Sequence, residues 1–363
     1  MTQEQARQAA QLAFVASGAE LEVGRPEASP IDPDALARIE PGSPLVVEAM
    51  PGGLTARVFR LRAGGRDWTL KRARVPCLVK NVDGQTSFLN ELQRRADLAR
   101  LQAAPGGDRR FAAIVETAYG SLRRGVLLSP WIEGETVASW DERRITQLLD
   151  VLVELSLEGL FEWDLCPGNV LDDGRQLRLF DFGYMYRYDP LTQPHSGGWG
   201  APVFHPAERF ETRNFSAQLL ALEQSQGLSA ALAAYRLEKG LAVQAYERLR
   251  AALRARGASA QVLEWLEGIL ARWRSGLRGD LGALYLAEGW RSHRLDVLDD
   301  LHGQTCTPRT LQRLEWLSRT LREHASALTA LGAFFFGDAE LPLGALAARL
   351  EEDAVRARGW QVA

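Results

Sequence analysis

Apolar residues recur with period two between Val46 and Ala73 and with a helical period from Ser216 onward, and few folds accommodate that division. Val46-Val47-Glu48-Ala49-Met50 is a short apolar run ended by Pro51-Gly52-Gly53. Ala56-Arg57-Val58-Phe59-Arg60-Leu61-Arg62 then alternates, Ala63-Gly64-Gly65-Arg66 turns, and Asp67-Trp68-Thr69-Leu70-Lys71-Arg72-Ala73 alternates again. This is the signature of a β-meander. Phe88 to Leu101 reads as a helix, and Ala112–Ala118 and Gly125–Ser129 read as two further strands. Strands wrapped around one helix predict a small α+β lobe.

Beyond it, Trp140 to Leu157 carries an amphipathic helical pattern, with Ile145, Leu148, Leu149, Leu152, Val153 and Leu155 on its apolar face and Gly159 ending it. Asn169–Leu171 and Leu177–Phe180 read as two short strands joined by the turn Asp172-Asp173-Gly174-Arg175. From Ser216 onward, breaks at Gly257, Gly276, Gly279, Pro308 and 337–342 predict five to seven helices. Residues 2–17 have a helical pattern, and residues 18–45, rich in Pro, Gly and Asp, read as a linker or irregular arm. The expected organisation is a helix and arm over 1–45, a β-rich lobe over 46–130, the core of a second, mainly helical lobe over 131–215, and a helical extension over 216–363.

The bulk numbers exclude several classes. A net charge of −3 gives no reason to expect nucleic acid or an acidic membrane surface as a partner. Three widely spaced cysteines, Cys77, Cys166 and Cys306, argue against a disulfide framework or a structural zinc site. Met1 to Ser17 lacks the layout of a secretory signal, and no uncharged run reaches the ~20 residues of a membrane helix. The expected location is therefore cytoplasmic. Lysine is scarce, occurring only at positions 71, 80 and 239.

The chemistry concentrates in Glu162-Trp163-Asp164-Leu165-Cys166-Pro167-Gly168-Asn169, followed after a hairpin-length gap by Phe180-Asp181-Phe182-Gly183. Asp-x4-Asn or Asp-Phe-Gly alone is commonplace. In this order, each beside its own apolar strand and after a long helix, they resemble the catalytic loop and metal-binding motif of the protein-kinase-like superfamily. That superfamily includes protein kinases and small-molecule kinases such as aminoglycoside and choline kinases. The resemblance covers about residues 46–210 and implies a bilobal fold, ATP and Mg2+ as cofactors, and transfer of a phosphoryl group to a hydroxyl.

Carried over residue by residue, the resemblance makes Asp164 the group that orients the acceptor hydroxyl and takes its proton. Asn169 and Asp181 become the magnesium ligands, oxygen donors suited to a hard ion. Lys71, inside its alternating strand, matches the lysine that meets the α- and β-phosphates, with Glu91 on the next helix as its partner; Lys80 is the rival for that lysine's place. Gly52, Gly53, Leu54 and Thr55 resemble the Gly-Gly-Leu-Thr turn of the small-molecule kinases, whose backbone amides can cradle phosphate. Leu128, Ser129 and Trp131 fall where the family has its adenine-binding hinge.

The chain also departs from the family. Glu162 stands where a histidine is usual, and Cys166 stands where serine/threonine protein kinases carry lysine. The second departure favours a small-molecule acceptor, with a protein acceptor as the alternative. Gly200-Ala201-Pro202-Val203-Phe204-His205-Pro206-Ala207-Glu208 resembles, in scrambled order, the end of an activation segment. Tyr186, Tyr188 and His195 are candidate substrate contacts. Trp265, Trp273, Trp290, His293, Arg294, Asp296, Asp299 and Asp300 are candidates to line an acceptor pocket. A catalytically silent binding module, or a relative that transfers AMP, shares the same fold-level expectation.

Overall fold

The computed structural model describes residues 2–362; Met1 and Ala363, the outermost positions of the two terminal segments, lie outside them. The chain adopts the α+β class expected from its sequence, with an antiparallel sheet in the N-terminal part and a largely helical C-terminal half. It divides into two compact units. One comprises Met1–Val137, Glu158–Tyr188 and His195–Ala201; the other comprises Ala138–Leu157, Asp189–Pro194 and Pro202–Ala363.

The first unit is built on a six-stranded sheet of order β1-β5-β6-β4-β3-β2. Its strands are β1 (Glu22–Gly24), β2 (Val46–Met50), β3 (Ala56–Ala63), β4 (Arg66–Ala73), β5 (Tyr119–Ser121) and β6 (Val126–Pro130). Register follows the alternation in the sequence: Phe59 lies opposite Leu70, Leu61 opposite Trp68, and Leu70 opposite Leu128. These side chains form a core on one face, closed by Ile31, Leu36 and Ile39. Leu36 belongs to the short helix α2 (Pro33–Ala37), which starts at an Asp32 cap. Residues 18–45 are therefore not a linker: they add the edge strand β1 and a helix that covers the sheet.

The other face carries Lys71, opposite Leu127, which in turn lies opposite Gly120. The helix α3 (Val82–Ala103) packs on this face through Leu92, with α1 (Gln3–Ala16) docked on α3. Gly120 is what allows so close an approach. A Cβ there would stand 2.7 Å from Leu92 Cδ2 and 2.9 Å from Val23 Cγ2.

The short helix α4 (Gly107–Arg110) follows, and 112–118, expected as a strand, makes only the isolated parallel bridge of Ile114 with Leu179. The rest of this unit is hairpin structure. β7 (Glu135–Thr136), β9 (Val170–Asp172) and β10 (Leu177–Leu179) form one small sheet, and β8 (Leu160–Glu162) pairs with β11 (Met185–Arg187).

The second unit contains α5 (Glu142–Leu157), α6 (Pro206–Phe210), a π-helical turn at Glu211–Phe215, and then six helices. These are α7 (Ser216–Gln226), α8 (Leu228–Ala255), α9 (Ala260–Arg278), α10 (Leu281–Gly303), α11 (Pro308–Ala330) and α12 (Leu343–Gly359). Gly276 does not break the chain. It lies inside α9, where a Cβ would meet Leu284 at 2.5 Å. The core joins Trp290, Val297, Leu314, Leu317 and Leu346. Among the described residues no helix is long and apolar enough to cross a membrane.

Candidate active site

Lys71, Glu91 and Asp181 meet within the first unit. Lys71 Nζ lies 2.7 Å from Glu91 Oε2 and 2.8 Å from Asp181 Oδ2. Each group arrives on a different element for a local reason. The pleat of β4 sends Leu70 into the sheet core and therefore Lys71 to the α3 face. Glu91 stands one residue before Leu92, the anchor of α3 on that face. Asp181 follows β10 at φ 67°, in the left-handed region that aspartate tolerates better than most residues.

The triad is graded in exposure. The side chains of Lys71 and Glu91 are 9% and 4% exposed, whereas that of Asp181 is 31% exposed. Burial acts to lower the pKa of Lys71, but the carboxylates of Asp181 and Glu91 outweigh it and hold the ammonium above the usual lysine range. Burial likewise acts to raise Asp181, and the charge and hydrogen bond of Lys71 bring it below the usual carboxylate range. The other oxygen of Glu91 accepts from Arg95 Nη2 at 3.2 Å, one helical turn on. Arg95 also donates to the carbonyl of Val115 at 2.7 Å, and its guanidinium lies 4.8 Å from the Phe182 ring centroid.

The loop between β8 and β9 is closed on itself. Asn169 Nδ2 donates to the Asp164 carbonyl at 2.9 Å, which turns Asn169 Oδ1 the other way. The Phe180 N–H donates to the Asn169 carbonyl at 3.2 Å, so the β9–β10 hairpin holds Asn169 across from the residue that precedes Asp181. Glu162 lies beneath this loop, with Oε1 accepting from the Asp164 N–H at 2.8 Å. Burial pushes its carboxyl well above the usual range. The Asp164 N–H bond opposes that shift, while the charges of Asp164, Asp181 and Glu91 reinforce it. Burial thus favours the protonated form of Glu162, the residue that stands where the sequence led us to expect a histidine.

The segment with Gly52, Gly53, Leu54 and Thr55 joins β2 to β3. Gly52 has φ 84°, and a Cβ on Gly53 would stand 2.1 Å from the Ala56 carbonyl oxygen, so both positions demand glycine. Carbonyls of this loop are engaged from one side: Arg74 Nε donates to Gly53 at 2.6 Å, Arg74 N to Thr55 at 2.9 Å and Leu78 N to Leu54 at 3.1 Å. Lys80 is exposed on the chain leading into α3.

Of the expected hinge residues, Leu128 is buried in the core on the face away from Lys71, and its carbonyl accepts from the Ala118 N–H at 2.9 Å. Ser129, two residues beyond Leu127, is on the Lys71 face. The Trp131 N–H donates to the Asp67 carbonyl at 3.2 Å, and the Trp131 ring lies 4.5 Å from the Arg60 guanidinium.

Several further candidates prove to be packing residues. Tyr186 lies beneath the Arg7 guanidinium at 3.6 Å, and Tyr188 sets its ring edge-on to Phe161. His195 is buried, with Nε2 2.8 Å from the Ala201 carbonyl oxygen. In the second unit, Trp273 donates to Glu288 at 2.9 Å, Arg294 pairs with Asp338 and Asp353, and Asp296 pairs with Arg313 at 2.7 Å. Trp290 is in the helical core, His293 meets Arg313 at 3.0 Å, and Asp300 accepts from Thr310 at 2.6 Å. Trp265 donates to the Pro202 carbonyl, and Asp299 pairs with Arg209. Each of these side chains is engaged by a neighbouring residue or packed in the helical core. His205, in the scrambled activation-segment motif, caps α6 by accepting the Glu208 N–H.

Three residues of the first unit were missed from sequence: Arg95, Asn90 and Gln11. Arg95 had a signal, its i+4 spacing from Glu91. The two amides had none, because they reach the site through partners 79 to 95 positions off in the chain.

No family model and no curated protein matches this chain. Among solved structures it is similar to a crystal structure of WbdD, at 20% identity and a TM-score of 0.34 over 54% of this chain and 46% of that one. It is similar also to a structure described as the bifunctional kinase-methyltransferase WbdD, at 18% identity and a TM-score of 0.31 over 54% and 46%. A third similarity is to vaccinia related kinase 3, at 16% identity and a TM-score of 0.28 over 40% and 48%. The matched part of this chain thus spans about half the length of each of these structures.

Proposed function

We propose that the first unit binds a magnesium–ATP complex and transfers its γ-phosphoryl group to a hydroxyl, with a small molecule as the acceptor. The observation that carries this reading is the meeting of one ammonium with two carboxylates from three separate elements, Lys71 at 2.7 Å from Glu91 and 2.8 Å from Asp181. Phosphoryl transfer asks for placement and charge neutralisation rather than covalent help. Glu91, braced by Arg95, fixes Lys71 where it would meet the α- and β-phosphates. The amides of Gly52 to Thr55 would cradle phosphate oxygens, and the segment 128–131 would flank the adenine.

The donor set fits magnesium. Among the described residues no cluster of three or more His, Cys, Asp or Glu side chains forms a metal cage. Asp181 and the outward Oδ1 of Asn169 instead supply two oxygens, which suits an ion that completes its shell with phosphate and water. Such an ion would neutralise the charge of the phosphates. Asp164, held by Asn169 through its carbonyl, would orient the acceptor hydroxyl and take its proton. Cys166 replaces the lysine of serine/threonine protein kinases, which favours the small-molecule acceptor.

The test is a transfer assay with ATP labelled at the γ- or the α-phosphate, run with Mg2+ against metabolite pools and whole-cell protein. We expect γ-label, and not α-label, in small molecules. We expect Asp181→Asn, which keeps the left-handed backbone accessible, to lower transfer by about 10²–10³-fold. Transfer of α-label, or undiminished transfer by Asp181→Asn, overturns the reading; γ-label in protein moves the acceptor to the protein class.

A further inference from the structure

Gln11 is the only buried residue of α1. A helix that docks on a neighbour ordinarily buries an apolar stripe. Here Leu12 and Val15 are exposed, and the docking contacts are polar. Gln11 Nε2 donates to Asn90 Oδ1 at 3.2 Å. Asn90 Nδ2 in turn faces three carbonyls of the segment after Asp181: Phe182 at 3.3 Å, Gly183 at 2.9 Å and Met185 at 2.8 Å. At the other end, Gln11 Oε1 accepts from Arg7 Nη1 at 3.1 Å and Thr86 Oγ1 at 3.2 Å. Arg7 is itself fixed by a two-pronged pair with Asp83, at 2.9 and 3.1 Å.

The polarity of this chain of amides is determined at both ends. Carbonyls are acceptors only, so the Asn90 nitrogen must face them and its oxygen must face away. That oxygen requires a donor, so the Gln11 nitrogen must face Asn90 and the Gln11 oxygen must face Arg7, which can only donate; the Thr86 hydroxyl, shared with the Val82 carbonyl at 3.0 Å, adapts to either. The Gln11 amide is the joint between the outer cation and the inner loop, and the reverse arrangement would set like against like at both Arg7 and Asn90.

We propose that α1 is a built-in positioning element for the metal-binding turn. Gln11 orients Asn90, and Asn90 clamps the backbone of 182–185 to α3, the helix that carries Glu91. The same contact therefore ties Asp181 and Glu91 to one rigid element. The catalytic consequence rests on the phosphotransferase reading above; the structural clamp does not.

Two full-length variants separate positioning from mere cover. Gln11→Glu at pH 8 keeps an acceptor for Arg7 and Thr86, and so keeps α1 docked, but sets a carboxylate oxygen against Asn90 Oδ1. Asn90 must then turn its nitrogen outward and release the loop. Gln11→Leu loses Arg7 and Thr86 but leaves Asn90 free to keep its carbonyls. Backbone hydrogen exchange over 181–187, without nucleotide, is the direct readout. We expect Gln11→Glu to speed exchange there by about tenfold, the loss of roughly one buried hydrogen bond, with Gln11→Leu having the smaller effect and α1 itself unchanged in Gln11→Glu. The Mg2+ concentration for half-maximal turnover should rise in the same order, while the KM for ATP at saturating Mg2+ stays fixed. The reverse order, equal effects or no change in exchange overturns the clamp. A wild-type protein that transfers no phosphate overturns the functional reading instead, and the exchange result still decides the clamp.

Discussion

Lys71 and Lys239 have nearly the same immediate chemistry. Lys71 lies 2.7 Å from Glu91 and 2.8 Å from Asp181; Lys239 lies 2.6 Å from Glu211 and 2.7 Å from Glu288. Their surroundings differ. Lys239 has no exposed surface, and its carboxylates come from α10 and from the π-helical turn, braced by Arg291 and Tyr235. One partner of Lys71, by contrast, is 31% exposed and sits on a loop with left-handed backbone. A sealed ion cluster commits its charges to one another. A cluster with one exposed, backbone-strained carboxylate retains the capacity to exchange a partner, as a site for a charged ligand requires.

Removing each lysine is the most severe test of that contrast. Lys239→Met leaves Glu211 and Glu288 buried, and we expect it to cost about 3–5 kcal/mol in denaturant unfolding. Lys71→Met leaves Glu91 with Arg95 and Asp181 in reach of water. We expect it to cost only about 1 kcal/mol while lowering turnover by about 10²–10³-fold. Equal losses of stability in the two variants would break the comparison.

A pH-dependent effect, of opposite sign to the usual carboxylate, is expected at Glu238. Burial, against the opposing charge of Lys239 at 3.5 Å, pushes its carboxyl up to about 8. Between the ordinary value of 4.5 and about 8, the folded protein holds a proton that the unfolded chain has released. Glu238 therefore subtracts stability as pH rises through that window, by up to about 1.4 kcal/mol per pH unit, and levels off above it. Glu238→Gln cannot ionise. The stability difference between it and the wild type, read by urea unfolding at several pH values, should grow in favour of the variant from pH 4.5 to about 8. A flat difference would mean that Glu238 is already charged in the folded state and that the second cluster is less sealed than its geometry implies.

Much of the first unit was legible in the sequence because its determinants are local. The alternation of 56–73 matches β3 and β4, and the Asp172–Arg175 turn matches the β9–β10 hairpin. The arm 18–45 was not legible. Its helix α2 spans five residues, too short to reveal a period, and Ile31 and Ile39 bury beside Leu36 only because the sheet is there. The strand expected at 112–118 has the right residues but makes only one bridge. The second unit yields its helices to the same periodicity, but not the meaning of their polar residues. Arg294 reads as a pocket-lining side chain until Asp338 and Asp353, 44 and 59 positions further on, are seen to hold it. Glu91 stood out because it follows a strand lysine on the next helix; Asn90 and Gln11, whose partners lie as many as 95 positions off, did not.

The least costly change tests whether the open cluster depends on packing as much as on charge. Gly120 touches none of the three charged groups, yet a methyl there would come within 2.7 Å of Leu92 and 2.9 Å of Val23. Both are side-chain atoms, and strand propensity favours alanine over glycine, so Gly120→Ala should cost about 1 kcal/mol rather than the larger penalties of rigid overpacking. Relief of the contact nevertheless moves α3 outward at Leu92, the residue next to Glu91. The Lys71–Glu91 separation should then widen, and the KM for ATP should rise more than kcat falls, because the lysine remains but is less firmly held. A wild-type KM in a variant whose unfolding midpoint has dropped would mean that α3 accommodates the methyl elsewhere. It would also mean that charge, not the fit of α3 to the sheet, sets the distance between Lys71 and Glu91.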